Sequence, residues 1–434
     1  MRHFRHILVA SAVCACMSAN AYSARELSLA ETLNMAEQNS PQLKADLLNA
    51  KAAHKGVGIA QSGYYPSVDL DGIDSWGFPG SSGDLGIGGL MGSPYRSGTA
   101  GGVVARETLF DFGRTFSGVK TAESIEKLRN EEIAIDKYSV DLDALQTFYQ
   151  CSRFRSEYET WSGLYDETEL VAKEVAMFVD TGQRSIVDQY LAKSQVEEAR
   201  TNRDYYTSRT KSTASRLAML MGVSESDSVC PGLPEPEANV PLYPTDAINP
   251  YVVHSQTEVE AAKNQLFQAK TDFLPKIVGM ASAGAMENVR LVDRTDYSGG
   301  LGVVIPIFDG LGTVNRVGQA RAQLDAKTQE LGAVQLQMDE VNAKYDDIIV
   351  ASREKIERLE GEQKLAQDGF KVAKSRYFKL QGTLVDLRDA LRNLSRIEIE
   401  MRDTQADLLE TSGSKALLNG SASVKPAQID EKKP

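Results

Sequence analysis

"NSPQLKADLLNAKAAHKGVGIAQSGYYPSVDLDG", from Asn39 to Gly72, has a counterpart later in the same chain: "INPYVVHSQTEVEAAKNQLFQAKTDFLPKIVGMA", from Ile248 to Ala281. Pro41 and Pro250, Ala60 and Ala269, and Pro66 and Pro275 are each 209 residues apart. Further on, "TLFDFG" from Thr108 matches "PIFDGLG" from Pro306, and "SIVD" from Ser185 matches "TLVD" from Thr383, each 198 residues apart. One deletion of about eleven residues between Pro275 and Phe308 reconciles the two spacings. The chain is therefore read as two copies of one unit, 22–230 and 247–419. The Pro-rich linker "CPGLPEPEANVPLYPTD" joins them, with 231–246 as its span, and a polar tail follows at 420–434.

Each copy repeats one internal order. A helix of about 35 residues comes first and ends at "YYP" or "FLP", where proline stops it and favours extended backbone. A Gly-, Ser- and Val-rich stretch follows, in which "SVDLDGIDSW" and "KIVGMASAGA" alternate between two faces, as do "RSGTAGGVVARETLF" and "YSGGLGVVIPIF". These predict one β-hairpin per copy, at about 66–110 and about 275–308, with strands of about ten residues. Last comes a long helical hairpin, at about 113–222 with its tip near 181–185, and at about 311–418 with its tip near 380–383. No proline interrupts Phe112 to Phe178, and only Gly113, Gly118 and Gly163 break the run of helix formers. Tyr138, Leu142, Leu145 and Tyr149 step by four, three and four, as do Phe154, Tyr158, Trp161 and Tyr165. In the second copy Leu384, Leu387, Leu391, Leu394, Met401 and Leu408 form the same kind of seam. Arms of about 65 residues, or close to 100 Å, have no globular core to bury them and must pack as coiled coils.

Composition narrows the classes further. Arg2, His3, Arg5 and His6 precede the apolar run "ILVASAVCACM", and "ANA" at 19–21 offers a cleavage site, so residues 1–21 read as an export signal. Ala24 is a second possible cut, and Cys16 lacks the leucine upstream that a lipid-modified cysteine calls for. A net charge of −12 argues against nucleic acid as a partner. Cys151 and Cys230 are the cysteines left after export; a buried free thiol is the favoured reading for Cys151, and pairing stays open. No run of about 18 apolar residues offers a membrane-spanning helix.

Strands of about ten residues with alternating faces are long enough to cross a bilayer as a tilted barrel. Aromatic residues gather at the strand ends, as an interfacial girdle requires: Tyr64, Tyr65, Trp76, Phe78, Tyr95, Phe110, Phe112, Phe273, Tyr297 and Phe308. Four strands cannot close around a lumen, and an open edge is not tolerated in lipid. Several chains must then supply the barrel together, eight strands from two chains or twelve from three, and composition does not choose.

The duplicated order of helix, hairpin and long helical hairpin, with "P-x-(V/I)" after the first helix, "(L/I)FD" after the hairpin and the tip motifs "SIVD" and "GTLVDLRDA", resembles the TolC family of outer-membrane efflux channels. The resemblance runs from Leu27 to about Asn419. It implies an α+β membrane protein in which four strands per chain complete a twelve-stranded barrel in a homotrimer, continued by a coiled-coil helical tunnel through the periplasm. It further implies an outer-membrane location in lipid, a periplasmic adaptor protein, and an inner-membrane transporter, proton-driven or of the ABC type. Asp386 and Asp389 match the family's periplasmic ring of aspartates, which favours cations and in which crowding raises the cost of ionising each carboxyl. Asp188 and Tyr377 fall where an aspartate and a tyrosine of the closed-state latch sit. The latch arginine's place is taken by Gly382, leaving Arg184, Arg376, Lys379 and Arg388 as substitutes. The hairpin tips, Thr181, Gly182, Gln183 and Ser185 in one copy and Gln381, Gly382 and Thr383 in the other, are the expected adaptor-docking residues.

No cofactor or metal is expected, and an enzyme is not. His54 and His254 stand alone on helices, "SGVK" at Ser117 is a pattern many helices contain, and "GDLGIGGLMG" lies in a hairpin turn rather than between strand and helix. The competing reading is a secreted coiled-coil scaffold. Drug efflux and type I protein secretion both remain open.

Overall fold

Pro41 and Pro250 each occupy the first turn of a helix, where a missing N–H costs nothing. Ser40 and Asn249 cap those starts: Ser40 Oγ accepts from the Leu43 N–H at 3.3 Å, and Asn249 Oδ1 accepts from the Tyr251 N–H at 2.9 Å. The expected 35-residue opening helix is therefore corrected. In the computed structural model, which describes residues 27–75, 98–224, 230–233, 249–288 and 291–420, the first copy opens with α1 (Leu29–Asn39) and α2 (Pro41–Gln61). The helix that opens the second, α5 (Pro250–Thr271), has 22 residues. Strands β1 (Ser67–Ser75) and β2 (Gly98–Phe110) follow α2, leading into α3 (Arg114–Asp180) and α4 (Ile186–Met221). The second copy continues from α5 with β3 (Lys276–Asn288), β4 (Leu291–Val304), α6 (Gly312–Phe378) and α7 (Leu384–Gly420). The signal segment, Cys16, most of the linker, the glycine run, Trp76, Phe78, Tyr95 and the polar tail lie outside the described residues.

Helices α3 and α6 each have 67 residues, and shorter helices cover each from both ends. Along α3 lie α2 from the sheet side and α4 from the tip side; along α6 lie α5 and α7, and α7 also packs on α3. The covering helices meet end to end at mid-length. There the Asn39 side chain donates to the carbonyls of Met219 and Leu220 at 3.2 and 3.3 Å, closing the end of α4. Gly222 adopts φ +69°, and a Cβ there would fall 2.5 Å from the Asn39 side chain, so glycine is required on two counts. Around this junction Leu145, Phe148 and Tyr149 of α3 pack against Leu217 of α4 and Leu409 and Leu417 of α7. In the α7 seam Leu384, Leu387, Leu391, Met401 and Leu408 are buried at the predicted spacing.

Cys151 and Cys230 form a disulfide, with 5.2 Å between their Cα atoms, which overturns the free-thiol reading. Sequence placed Cys151 mid-helix but gave no position for Cys230. Cys230 lies against α3, where Arg155 donates to its carbonyl at 2.7 Å beside the disulfide.

The strands form one antiparallel sheet in the order β1-β2-β3-β4. Ser67 pairs with Arg106, and Lys276 with Val304, so all four helical connections leave from the same end of the sheet. At that end the "FD" motif has a defined task. Asp111 accepts from the N–H and hydroxyl of Thr115 at 2.7 and 2.5 Å, and Asp309 does the same for Thr313 at 2.7 and 2.6 Å, capping α3 and α6. Asp272, at the end of α5, binds Arg114 at 2.8 Å and Arg316 at 3.3 Å and so ties both helix starts together.

The two faces of the sheet differ. Asp69, Asp71 and Arg106 share one face as an ion-paired group, with a Ser282–Ser298 hydrogen bond farther across it. On the other face Val68, Leu70, Val103, Leu109, Tyr297, Leu301 and Val303 all stand exposed, Leu70 at 83% and Tyr297 at 86%. One face is thus largely apolar and yet exposed, where a soluble sheet buries its apolar face and a membrane barrel turns it to lipid. Three of the strands have 13 or 14 residues, longer than the ten predicted.

The disulfide closes a 79-residue separation, for which loop-closure entropy sets a contribution of about 4.5 kcal/mol. Protein purified without reductant should have an intact mass lighter by two hydrogens than the dithiol form, and Cys151→Ser should unfold at lower temperature. Quantitative thiol labelling of the untreated folded protein would contradict the pairing.

Candidate functional site at the helical tips

The far ends of the two helical hairpins are built alike because they are copies. Thr181 and Lys379 follow the last turns of α3 and α6, and the next residue in each copy takes positive φ, Gly182 at +72° and Leu380 at +60°. The Gln183 N–H bonds the Phe178 carbonyl at 2.8 Å, and the Gln381 N–H bonds the Arg376 carbonyl at 2.9 Å. Both turns lead into a hydroxyl cap, Ser185 and Thr383, each three residues ahead of an aspartate.

Those equivalent aspartates then diverge. Asp386 and Thr383 form a reciprocal box: Thr383 donates through its N–H (3.2 Å) and its hydroxyl (2.8 Å) to Asp386, and the Asp386 N–H returns to the Thr383 hydroxyl at 3.1 Å. The Thr383 hydroxyl and N–H hold the Asp386 carboxyl below its ordinary range, opposite in direction to the rise that crowding in a ring produces. Asp389 stands exposed on the next turn and accepts from Arg388 at 2.9 Å. In the first copy Ser185 caps Val187 instead, at 3.2 Å, which leaves the Asp188 side chain facing Tyr377.

Tyr377 is the buried centre of the tip, at 0% exposure. Burial, and then the charge of Asp188, push its hydroxyl up to about 12. No hydrogen-bond partner meets that hydroxyl among the described residues. Val171, Val175 and Ala192 of the first hairpin pack against Tyr377, Leu384 and Leu387 of the second.

Of the four candidate cations, Arg184 is the one that crosses between hairpins. Its guanidinium lies 4.5 Å from the centroid of the Tyr377 ring and donates to the carbonyls of Tyr377 at 3.1 Å and Gly382 at 2.8 Å. Gly382 is the residue that aligns with Arg184 in the duplicated sequence, so one copy's arginine sits on the other copy's turn. Arg376 bonds its own turn at Gln381, 3.4 Å, Lys379 is exposed, and Arg388 is engaged with its neighbour Asp389. The tip residues Thr181, Gly182, Gln183, Ser185 and Gln381 form the exposed end of the molecule.

Two ion pairs across the hairpins carry no sequence signal: Lys374–Glu167 and Arg392–Glu198, both at 2.6 Å between residues 207 and 194 apart. Beside the second runs a groove of about 390 Å³ between α3, α4 and α7, walled by Trp161, Leu164, Leu391 and Ile399. At the opposite end of the molecule Tyr64, Tyr65, Phe110, Phe112, Phe273 and Phe308 are exposed together where helices meet sheet, while Tyr297 lies on the apolar face. Tyr297 is seven residues from Val304, about 23 Å along the strand.

The chain matches the family model of the outer membrane efflux protein over residues 32–223 and 245–414. It is 23% identical over 427 residues to the outer membrane efflux protein BepC of Brucella suis, spanning 93% of this chain and 88% of that one. Among solved structures it is similar to the outer membrane protein VceC of Vibrio cholerae (17% identity, TM-score 0.76, 90% of this chain and 96% of the other). It is also similar to a membrane protein of Pseudomonas aeruginosa (18%, 0.78, 94% of each). The CmeC outer membrane channel of Campylobacter jejuni superposes with a TM-score of 0.76 at 13% identity, over 91% of this chain and 86% of the other.

Removing the Arg184 side chain deletes two charge-assisted bonds between hairpins, a loss of about 2 kcal/mol and roughly a 30-fold fall in amide protection around 376–384. Arg184→Ala should show that fall by hydrogen exchange. Unchanged protection would mean that the bridge contributes nothing to tip closure.

Proposed function

Because this chain belongs to the outer membrane efflux protein family, we propose that three copies assemble into one channel whose tip end is a gate. The chain is an outer-membrane efflux duct with a large periplasmic part. Each copy gives four strands to a twelve-stranded barrel, and the coiled coils continue the lumen toward the inner membrane. The observation that carries this reading is the sheet: it presents an exposed apolar face, a polar opposite face, and edges at β1 and β4 that are unpaired among the described residues. Lipid accepts that face but not those edges, so neighbouring copies must pair with them.

At the tips the account is electrostatic. Asp386 is held by its own helix cap and remains ionised, so three copies bring a set of fixed negative charges around one axis, with Asp389 a turn farther on. A ring of carboxylates favours cations and slows anions. The closed state is held by the Arg184 bridge to Tyr377 and Gly382, with Asp188 against the Tyr377 hydroxyl. Opening separates the two hairpins at this seam. The duct has no energy source of its own, so an inner-membrane transporter drives export. A periplasmic adaptor docked on the exposed tips, around Gln183 and Gln381, shifts the gate by binding the open form more tightly.

Purified protein in a planar bilayer should give discrete, cation-selective conductance steps, and the Asp386→Ala/Asp389→Ala double variant should keep the steps while its cation preference falls toward parity. Steps of unaltered selectivity would return those aspartates to a capping and solvated role alone. Silence from well-inserted wild-type protein would favour a coiled-coil scaffold over a channel.

A further inference from the structure

About 25 Å along α7 from Asp386, two acids meet across the seam between α7 and α3. Glu157 of α3 is buried at 5% exposure, and Asp403 of α7 is half-buried. Glu157 Oε2 and Asp403 Oδ1 are both shut off from solvent, and neither has a hydrogen-bond partner among the described residues. The cation at this level is Arg153, one turn back on α3. Its guanidinium is engaged with Asp407, lies 3.9 Å from Glu410 and reaches Asp403 only at 4.0 Å. One arginine therefore serves four carboxyl groups. Lys355 of α6 is occupied by Glu400 at 2.9 Å, and Arg396 of α7 by the same Glu400 at 3.0 Å. From α4 the Tyr206 hydroxyl faces Glu157, with the Tyr205 ring against Tyr206.

Two ionised carboxylates in this position would oppose each other with no donor between them, and each orphaned buried acceptor gives up its hydration with no bond in return. A single proton removes both penalties. It turns one acid into a donor for the other and forms a short, charge-assisted O–H···O bond.

We propose that Glu157 and Asp403 share one proton and so form a clasp between α3 and α7, closed while the proton is held and loosened when it leaves to bulk water. Burial first, and then the charge of Asp403, push Glu157 up to about 7, with the Tyr206 hydroxyl opposing, so Glu157 is the donor. Burial also raises Asp403, against the pull of Arg153. A carboxyl raised above its unfolded value contributes stability that is fully present in acid and lost as pH climbs through the folded value. The clasp is therefore tight at mildly acidic pH and loose above about 7, and it restrains the helix that carries Asp386 and Asp389.

Two other acid contacts on α3 complicate a whole-protein melting curve. Asp141 faces Glu37 of α1 and is pushed by burial to about 8, and Asp46 of α2 faces Asp136 and is raised by burial. A local reporter avoids them. Trp161 stands one turn from Glu157 and lines the groove that Asp403 also lines, and Trp76 is the only other tryptophan. In full-length Trp76→Phe protein, Trp161 emission should show a transition with its midpoint near pH 7. Glu157→Gln, whose amide donates to Asp403 at any pH, should hold the acid-form spectrum throughout. Asp403→Asn should do the same with the donor reversed, and it serves if the first variant does not fold. The proposal is overturned if the wild type shows no transition, or if either folded variant keeps the same one.

Discussion

Lipid offers no hydrogen bonds to a polypeptide backbone, and that constraint organises everything above it in this molecule. A sheet of four strands whose apolar face points outward is stable only in a membrane, and its open edges are stable only when further strands cover them. The single chain is thus an incomplete object by design of its sequence. Both faces of the sheet, the aromatic belt where helices meet strands, and the Asp272 link between the two helix starts follow from holding such a sheet at the end of a bundle nearly 100 Å long.

Duplication solves the geometric problem of the bundle. Each long helix is covered by one helix from the sheet and one from the tip, and the covering helices must end where they meet. Asn39 and Gly222 close one of these joints, and the Asn249 side chain, bonding the Leu418 carbonyl at 3.5 Å, closes the other. The copies diverge where asymmetry is useful. Asp386 is locked into its own cap, while the equivalent Asp188 is free to face Tyr377, and Arg184 lies over the turn where its counterpart is Gly382. Had both copies kept an arginine there, a second side chain would have to fit at Gly382, where even a Cβ would sit 3.3 Å from the Cβ of Arg376.

Much of this was legible in the sequence because it is periodic or repeated. The leucine seam from Leu384 to Leu408, the alternation in "SVDLDG" and the recurring "FD" are local signals that packing obeys. The opening helix is two pieces because Pro41 takes the first turn of a new helix, a position that composition alone does not mark. The disulfide was hidden because Cys230 sits in a segment with no periodicity, and its place beside Cys151 depends on a long-range contact, the Arg155 bond to its carbonyl. Among the tip cations, sequence offered four and could not rank them, since the choice depends on which side chain spans two hairpins. Nothing local in the sequence sets Glu157 and Asp403 apart from the other acids along these helices. Their burial arises from α7 crossing α3, a contact no local pattern encodes.

The central claim, that the sheet is completed by other copies of the same chain, is tested most directly by the mass of the detergent-extracted assembly under native conditions. The account predicts a particle of three mature chains, supplying twelve strands, that survives dilution and falls apart only when the strands melt. A well-folded particle with the mass of one chain would contradict it.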